Sequence, residues 1–122
     1  MMYIFGYELL LTLDKCDVTR FTRKNIEEYL KDLCNWIEME REDLHFWDYE
    51  NEEIPVEEQH LKGVSAVQFI KTSNITIHTL EMSRRVYLNI FSCKWFDQET
   101  AINRSLLAFD GTVKFSLFIM RE

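Results

Sequence analysis

Four side chains near the middle of this 122-residue sequence can move protons or attack a carbonyl: Ser65, Ser73, His78 and Cys93. Ser65 lies in Gly63-Val64-Ser65-Ala66-Val67, Ser73 in Thr72-Ser73-Asn74, His78 in Ile77-His78-Thr79, and Cys93 closes Phe91-Ser92-Cys93. An imidazole takes and returns protons near neutral pH. A thiol, with an ordinary pKa of about 8.5, can give up its proton there, and a hydroxyl cannot. Taken singly, each residue also has a plain structural reading. Thr-Ser-Asn between two strands is common turn chemistry. His78 reads as a hydrogen-bonded strand histidine, Ser65 as an ordinary strand serine, and Cys93, like Cys16 and Cys34, as a small buried hydrophobe.

Other chemistries fit less well. Gly63-Val64-Ser65-Ala66-Val67 is not a nucleophile elbow, because Val67 replaces the second glycine. His45, His60 and His78 show no close pairing, so no metal site is expected. No glycine-rich phosphate loop is present, which removes the nucleotide-triphosphate and dinucleotide classes. A net charge of −7 disfavours a nucleic-acid or anionic-membrane partner. The three tryptophans lack the basic interleaving of a nucleic-acid platform. Three cysteines without C-x-x-C spacing suit a reducing, cytoplasmic setting better than a disulfide framework. No apolar run reaches the ~18 residues of a membrane span.

The elements that must position these residues follow from periodicity. Tyr3, Phe5, Tyr7, Leu9, Leu11 and Leu13 share one parity, which predicts a strand over residues 2–13. Ile26, Tyr29, Leu30, Leu33 and Ile37 predict a helix from about Arg23 to Met39, capped by Thr22. Six acids around Pro55 make residues 48–58 a solvated loop. Val64–Ile70, Ile75–Leu80 and Val86–Ser92 are β-rich runs with short connections, hence antiparallel neighbours. Asp97 caps a second helix bearing Ile102, Leu106 and Phe109, Asp110-Gly111 ends it, and Val113, Phe115, Leu117 and Ile119 alternate through a last strand.

This order predicts one domain, residues 1–122, of α+β class: a two-layer sandwich with two helices on one face of an antiparallel sheet. Ile4, Leu10, Phe118 and Met120 leave the second sheet face partly apolar with no third helix to cover it. A homodimer packed sheet to sheet is therefore expected.

The joint spacing of Gly63-Val64-Ser65-Ala66-Val67, Thr72-Ser73-Asn74-Ile75-Thr76-Ile77-His78-Thr79 and Phe91-Ser92-Cys93 resembles the core of the short prokaryotic S-adenosylmethionine decarboxylase proenzymes. The resemblance implies that fold and a self-cleaving chain. In it the Ser73 hydroxyl attacks the Thr72 carbonyl, elimination at the Ser73 α-carbon breaks the chain, and hydrolysis leaves a pyruvoyl group on residue 73. That group is the implied cofactor, since no ordinary side chain is an electron sink for decarboxylation. His78 matches the histidine that removes the α-proton during processing. Ser65 matches a serine that assists processing, and Cys93 the thiol that reprotonates the substrate carbon. The implied pathway is spermidine biosynthesis.

The sequence departs from the family pattern beside the cleavage site and in the substrate site. Thr72 stands where the family has Glu, and Asn74 where it has His. After Ile-His-Thr the family continues Trp-Pro-Glu, the acid contacting the substrate ribose; here the run is Leu80-Glu81-Met82, so Glu81 is the expected substrate-binding acid, one position early. The family also has an aromatic that stacks on adenine, for which Phe46 and Trp47, beside the acidic loop, are the candidates. Three functions stay open: a decarboxylase of S-adenosylmethionine, the same chemistry on ornithine or arginine, and an unprocessed homologue that binds a small molecule or a partner chain. Ser73 and His78 also have opposite strand parity, so they share a site only if the chain turns or bulges near Asn74.

Overall fold

A computed structural model describes residues 3–50 and 52–122. In chain order the elements are β1 (Gly6–Asp14), α1 (Arg23–Trp36), β2 (Arg41–Trp47), β3 (Ser65–Ile70), β4 (Ser73–Leu80), β5 (Arg85–Ser92), α2 (Gln98–Phe109) and β6 (Thr112–Arg121). Short 3-10 turns cover Val18–Arg20 and Val56–Leu61. The strands form one sheet in the order β2-β3-β4-β5-β1-β6, every neighbouring pair antiparallel.

The two helices cover one face. Leu9, Leu11 and Leu13 of β1, Ile75 and Ile77 of β4, and Val86, Leu88 and Ile90 of β5 are buried beneath Ile26, Leu30 and Leu33 of α1 and Ala101 and Phe109 of α2. The Thr22 hydroxyl accepts the Asn25 N–H at 3.1 Å, and Asp97 accepts the Glu99 N–H at 3.2 Å. Each cap satisfies an amide that the first helical turn leaves unpaired. Between the helices the Tyr29 and Ser105 hydroxyls are hydrogen-bonded at 2.6 Å. The apolar interior holds no unanswered polar side-chain atom among the described residues.

Several sequence expectations need correction. The first strand begins at Gly6 rather than at residue 2, which lies outside the described residues. α1 ends at Trp36, not Met39. Glu38 turns left-handed (φ 58°), the Met39 N–H returns to the Cys34 carbonyl at 2.8 Å, and the Glu38 N–H reaches the Asn35 carbonyl at 3.4 Å. That is a Schellman closure, in which Met39 packs back on the core and so continues the apolar rhythm past the helix end. β2 is a strand that periodicity does not reveal, because it is a sheet edge without one fully buried position. The acidic stretch 48–58 is not loop throughout, since the Val56–Leu61 turn begins within it. In β6 the core-facing parity is that of Ser116 and Phe118, which lie opposite Leu11 and Leu9. Phe115, Leu117 and Ile119 lie on the bare face, beside Thr12, Leu10 and Glu8.

Candidate active site

The Gly-Val-Ser and Ile-His-Thr motifs interlock at one end of the β3–β4 ladder. Thr79 receives the Val64 N–H on its hydroxyl at 2.9 Å and returns that hydroxyl to the Val64 carbonyl at 3.0 Å. Gly63 runs so close to the next strand that a Cβ there would overlap the Thr79 carbonyl. Ser65 and His78 are cross-strand partners, and their Oγ and Nδ1 lie 2.8 Å apart on the bare sheet face. Trp47, Tyr49, Leu80 and Tyr87 surround this pair in a cleft of about 530 Å³. Trp47 is thus on the bare face, whereas Phe46 packs toward the core.

The second group lies at the other end of β4. Ile70 and Ser73 are paired, leaving Lys71 and Thr72 as a two-residue turn, and Thr72 has φ of 60°. Left-handed backbone is unusual for a β-branched residue and stores strain. The Thr72 hydroxyl lies 2.9 Å from the Cys93 sulfur and 2.7 Å from the Lys71 carbonyl, and its single proton can be given to either. The Cys93 N–H donates to the Ser73 Oγ at 3.0 Å. Ser73 is buried and Cys93 exposed, beside a groove of about 350 Å³ that Met39, Ser92 and Lys94 help to line. The hydrogen bond with Thr72 holds the Cys93 thiol below its ordinary range; slight burial opposes this, and Ser73 and the nearby Lys94 charge add to it. Cys16 and Cys34 are the opposite case, since burial pushes both thiols up to about 11.

β4 pairs with both neighbours without a bulge, so Ser73 and His78 face opposite sides of the sheet. Five residues at ~3.3 Å each also put them roughly 16 Å apart along the strand. The structure therefore brings together Thr72, Ser73 and Cys93 at one end, Ser65 and His78 at the other, and does not join the two groups within one chain. Glu81 sits at the His78 end, in the β4–β5 turn. Its N–H donates to the Lys62 carbonyl at 3.0 Å, and its carboxylate lies 3.9 Å from the Lys62 ammonium. With Asp48, Glu50 and Glu52 it borders an acidic hollow. No described group of His, Cys, Asp and Glu is arranged to hold a metal ion, and no described helix is long and apolar enough to cross a membrane.

The family model for S-adenosylmethionine decarboxylase matches residues 7–118. The chain belongs to the S-adenosylmethionine decarboxylase family. Its fold is similar to that of the adenosylmethionine decarboxylase from Aquifex aeolicus VF5, with a TM-score of 0.72 and 16% identity over 99% of this chain and 92% of that one. A search of curated proteins found no match.

Members of this decarboxylase family are normally pyruvoyl-dependent, and the surroundings of Ser73 fit such a group. The side chain is buried, its oxygen already accepts the Cys93 N–H, and Thr72 and Cys93 beside it line an open groove. Two neighbours of the candidate residues are not legible in the sequence. Tyr87 is the cross-strand partner of His78, a position that follows from strand register once β4 and β5 are aligned. The Thr72 side chain was read only as a departure from the family, and no pattern in the sequence signals its contact with Cys93.

Proposed function

We propose that this chain is a pyruvoyl-dependent decarboxylase acting on S-adenosylmethionine, which cleaves itself between Thr72 and Ser73 and supplies the aminopropyl donor for spermidine synthesis in the cytoplasm. The observation that carries the reading is the convergence of a strained Thr72, the Ser73 hydroxyl and the Cys93 thiol at one turn. A pyruvoyl group derived from Ser73 supplies the electrophilic carbonyl that takes up the electron pair left as carbon dioxide departs. Cys93, exposed at the groove, is the proton donor to the substrate carbon. Trp47 and Tyr87 offer aromatic faces for the adenine ring, and Glu81 an acid for the ribose hydroxyls.

Ser65 and His78 enter through a second copy of the chain. Phe5, Phe69, Tyr87, Phe115 and Leu117 are exposed hydrophobics on a sheet that helices cover on one side only. Burying such a surface against itself is favourable. A face-to-face pair about a two-fold axis perpendicular to the strands sets the Ser73 end of one copy against the Ser65–His78 end of the other. Each homodimer then has two composite ends, with a partner imidazole set over the strand end that carries the Ser73 backbone, where it is proposed to remove the α-proton.

Intact mass on the purified chain tests the reading. Two fragments, one ending at Thr72 and one beginning at a modified residue 73, are expected, and Ser73→Ala should remain whole. A single full-length mass that persists on incubation would sink self-cleavage. Carbon dioxide release from labelled S-adenosylmethionine, ornithine and arginine then identifies the substrate. The separation of Ser73 from His78 within one chain favours a second reading, an unprocessed homologue that binds a small molecule in the Trp47–Tyr87 cleft. A persistent full-length mass would support it.

A further inference from the structure

We propose that Cys93 is the base that activates Ser73 for chain cleavage, carrying the proton of the Ser73 hydroxyl to the departing amide nitrogen. This rests on the reading that the Thr72–Ser73 bond is cut, and it gives Cys93 a task that precedes any encounter with substrate.

The geometry points to Cys93 in three ways. An unbulged β4 sends the chain's own His78 to the opposite sheet face and the far end of the strand, so that imidazole cannot serve Ser73 in cis. Cys93 touches both residues of the scissile bond: its N–H is 3.0 Å from the Ser73 Oγ, and its sulfur 2.9 Å from the Thr72 hydroxyl. The N–H is aimed at the Ser73 oxygen, so it orients the nucleophile and eases loss of its proton; the charge that builds on attack goes to the Thr72 carbonyl oxygen.

The charges around the thiol are mixed, and Lys94 is the one that draws it down. Lys94 and Lys71 line the groove from one side, and Glu38 and Glu40 from the α1–β2 connection. The Lys94 ammonium is anchored on the Glu38 carbonyl at 2.6 Å, which keeps a cation near the sulfur. The thiol is held low chiefly by Thr72, with help from Ser73 and Lys94. Thr72 is thus a positioning residue, acting through Cys93 rather than on the bond itself.

The step balances without another reactant. The thiolate takes the Ser73 hydroxyl proton, and the oxygen bonds to the Thr72 carbonyl carbon. The Thr72–Ser73 C–N bond then breaks, and the sulfur returns the proton to the freed Ser73 amine. An ester replaces an amide and the thiolate is restored. The later elimination at the Ser73 α-carbon needs a separate base.

The test follows cleavage of freshly synthesised full-length chain by intact mass from about pH 5 to 9, with hydroxylamine added in parallel to split any ester. In the wild type the rate should climb with pH and level off above a single midpoint. Cys93→Ala and Cys93→Ser should each slow cleavage by about 100-fold, the scale of a lost general base, and leave no hydroxylamine-labile ester. Thr72→Val should move the midpoint upward and Thr72→Ser restore it. Because Cys93 is exposed, both its variants should fold, which thermal melting checks. Cleavage of both Cys93 variants within about threefold of wild type would overturn the inference and leave the proposed function standing. A wild-type chain that never cleaves would overturn both.

Discussion

Ser65 and His78 are hydrogen-bonded across β3 and β4 on the sheet face that Ser73 does not see. If the imidazole acts only on a partner's serine, the two functions must separate genetically. His78→Ala alone should stay uncleaved. Co-expressed with Ser73→Ala, which keeps its histidine, the His78→Ala chain should be cleaved. Mass spectrometry of the mixture distinguishes the chains, and a His78→Ala chain that stays whole in the mixture would argue against the composite site.

The bare sheet face should be the dimer contact. Leu117→Lys and Tyr87→Lys place a charge on exposed positions of that face and leave the core untouched. Burying an unpaired charge at such an interface is costly. Sedimentation should show each variant shifted toward monomer with an unaltered far-ultraviolet circular dichroism spectrum. Two variants sedimenting as wild type would place the contact elsewhere.

Gly63 is predicted to be intolerant of any side chain. The atom that a Cβ meets is backbone, the Thr79 carbonyl oxygen, which cannot swing aside. Gly63→Ala should cost about 2–4 kcal/mol, in the range of strain at a packed backbone contact. Urea denaturation measures it, and the loss should come with weakened protection of the Val64 and Thr79 amides, which hydrogen-bond across this junction.

The start of the acidic segment is tied to the fold by Arg23, whose guanidinium holds Asp48 at 2.7 Å and Glu50 at 2.5 Å. The hydrogen bond with Arg23 holds the Asp48 carboxyl below its usual range. A depressed folded-state value means that the stabilisation is complete above the unfolded carboxylate pKa of about 3.9 and fades as pH falls through the folded one. Thermal midpoints should therefore drop on acidification below about pH 4, and Asp48→Asn should flatten that dependence while lowering the midpoint at neutral pH.

Elements whose side chains report burial were legible in the sequence. β1, β4 and β5 alternate because one face of each lies against the helices, and α1 carries its apolar stripe for the same reason. β2 was not legible because Arg41–Trp47 pairs by backbone at an edge, where burial imposes no pattern. β6 was legible as a strand but not as to which side faced inward, since both parities are apolar and only its pairing with β1 decides. The motif spacing located Ser65, Ser73, His78 and Cys93. It did not divide them between two ends of a sheet, because that division depends on β4 running straight past Asn74, and an unbroken ladder leaves no mark in composition.

The sheet order has a consequence for the life of a cleaved molecule. A break after Thr72 assigns β1, β2 and β3 to one peptide and β4, β5 and β6 to the other, yet β1 lies between β5 and β6, and β3 beside β4. The pieces are interwoven rather than adjacent, so severing the backbone frees neither. Losing the fold then means parting two molecules instead of unravelling one, and resistance to denaturation should rise with protein concentration.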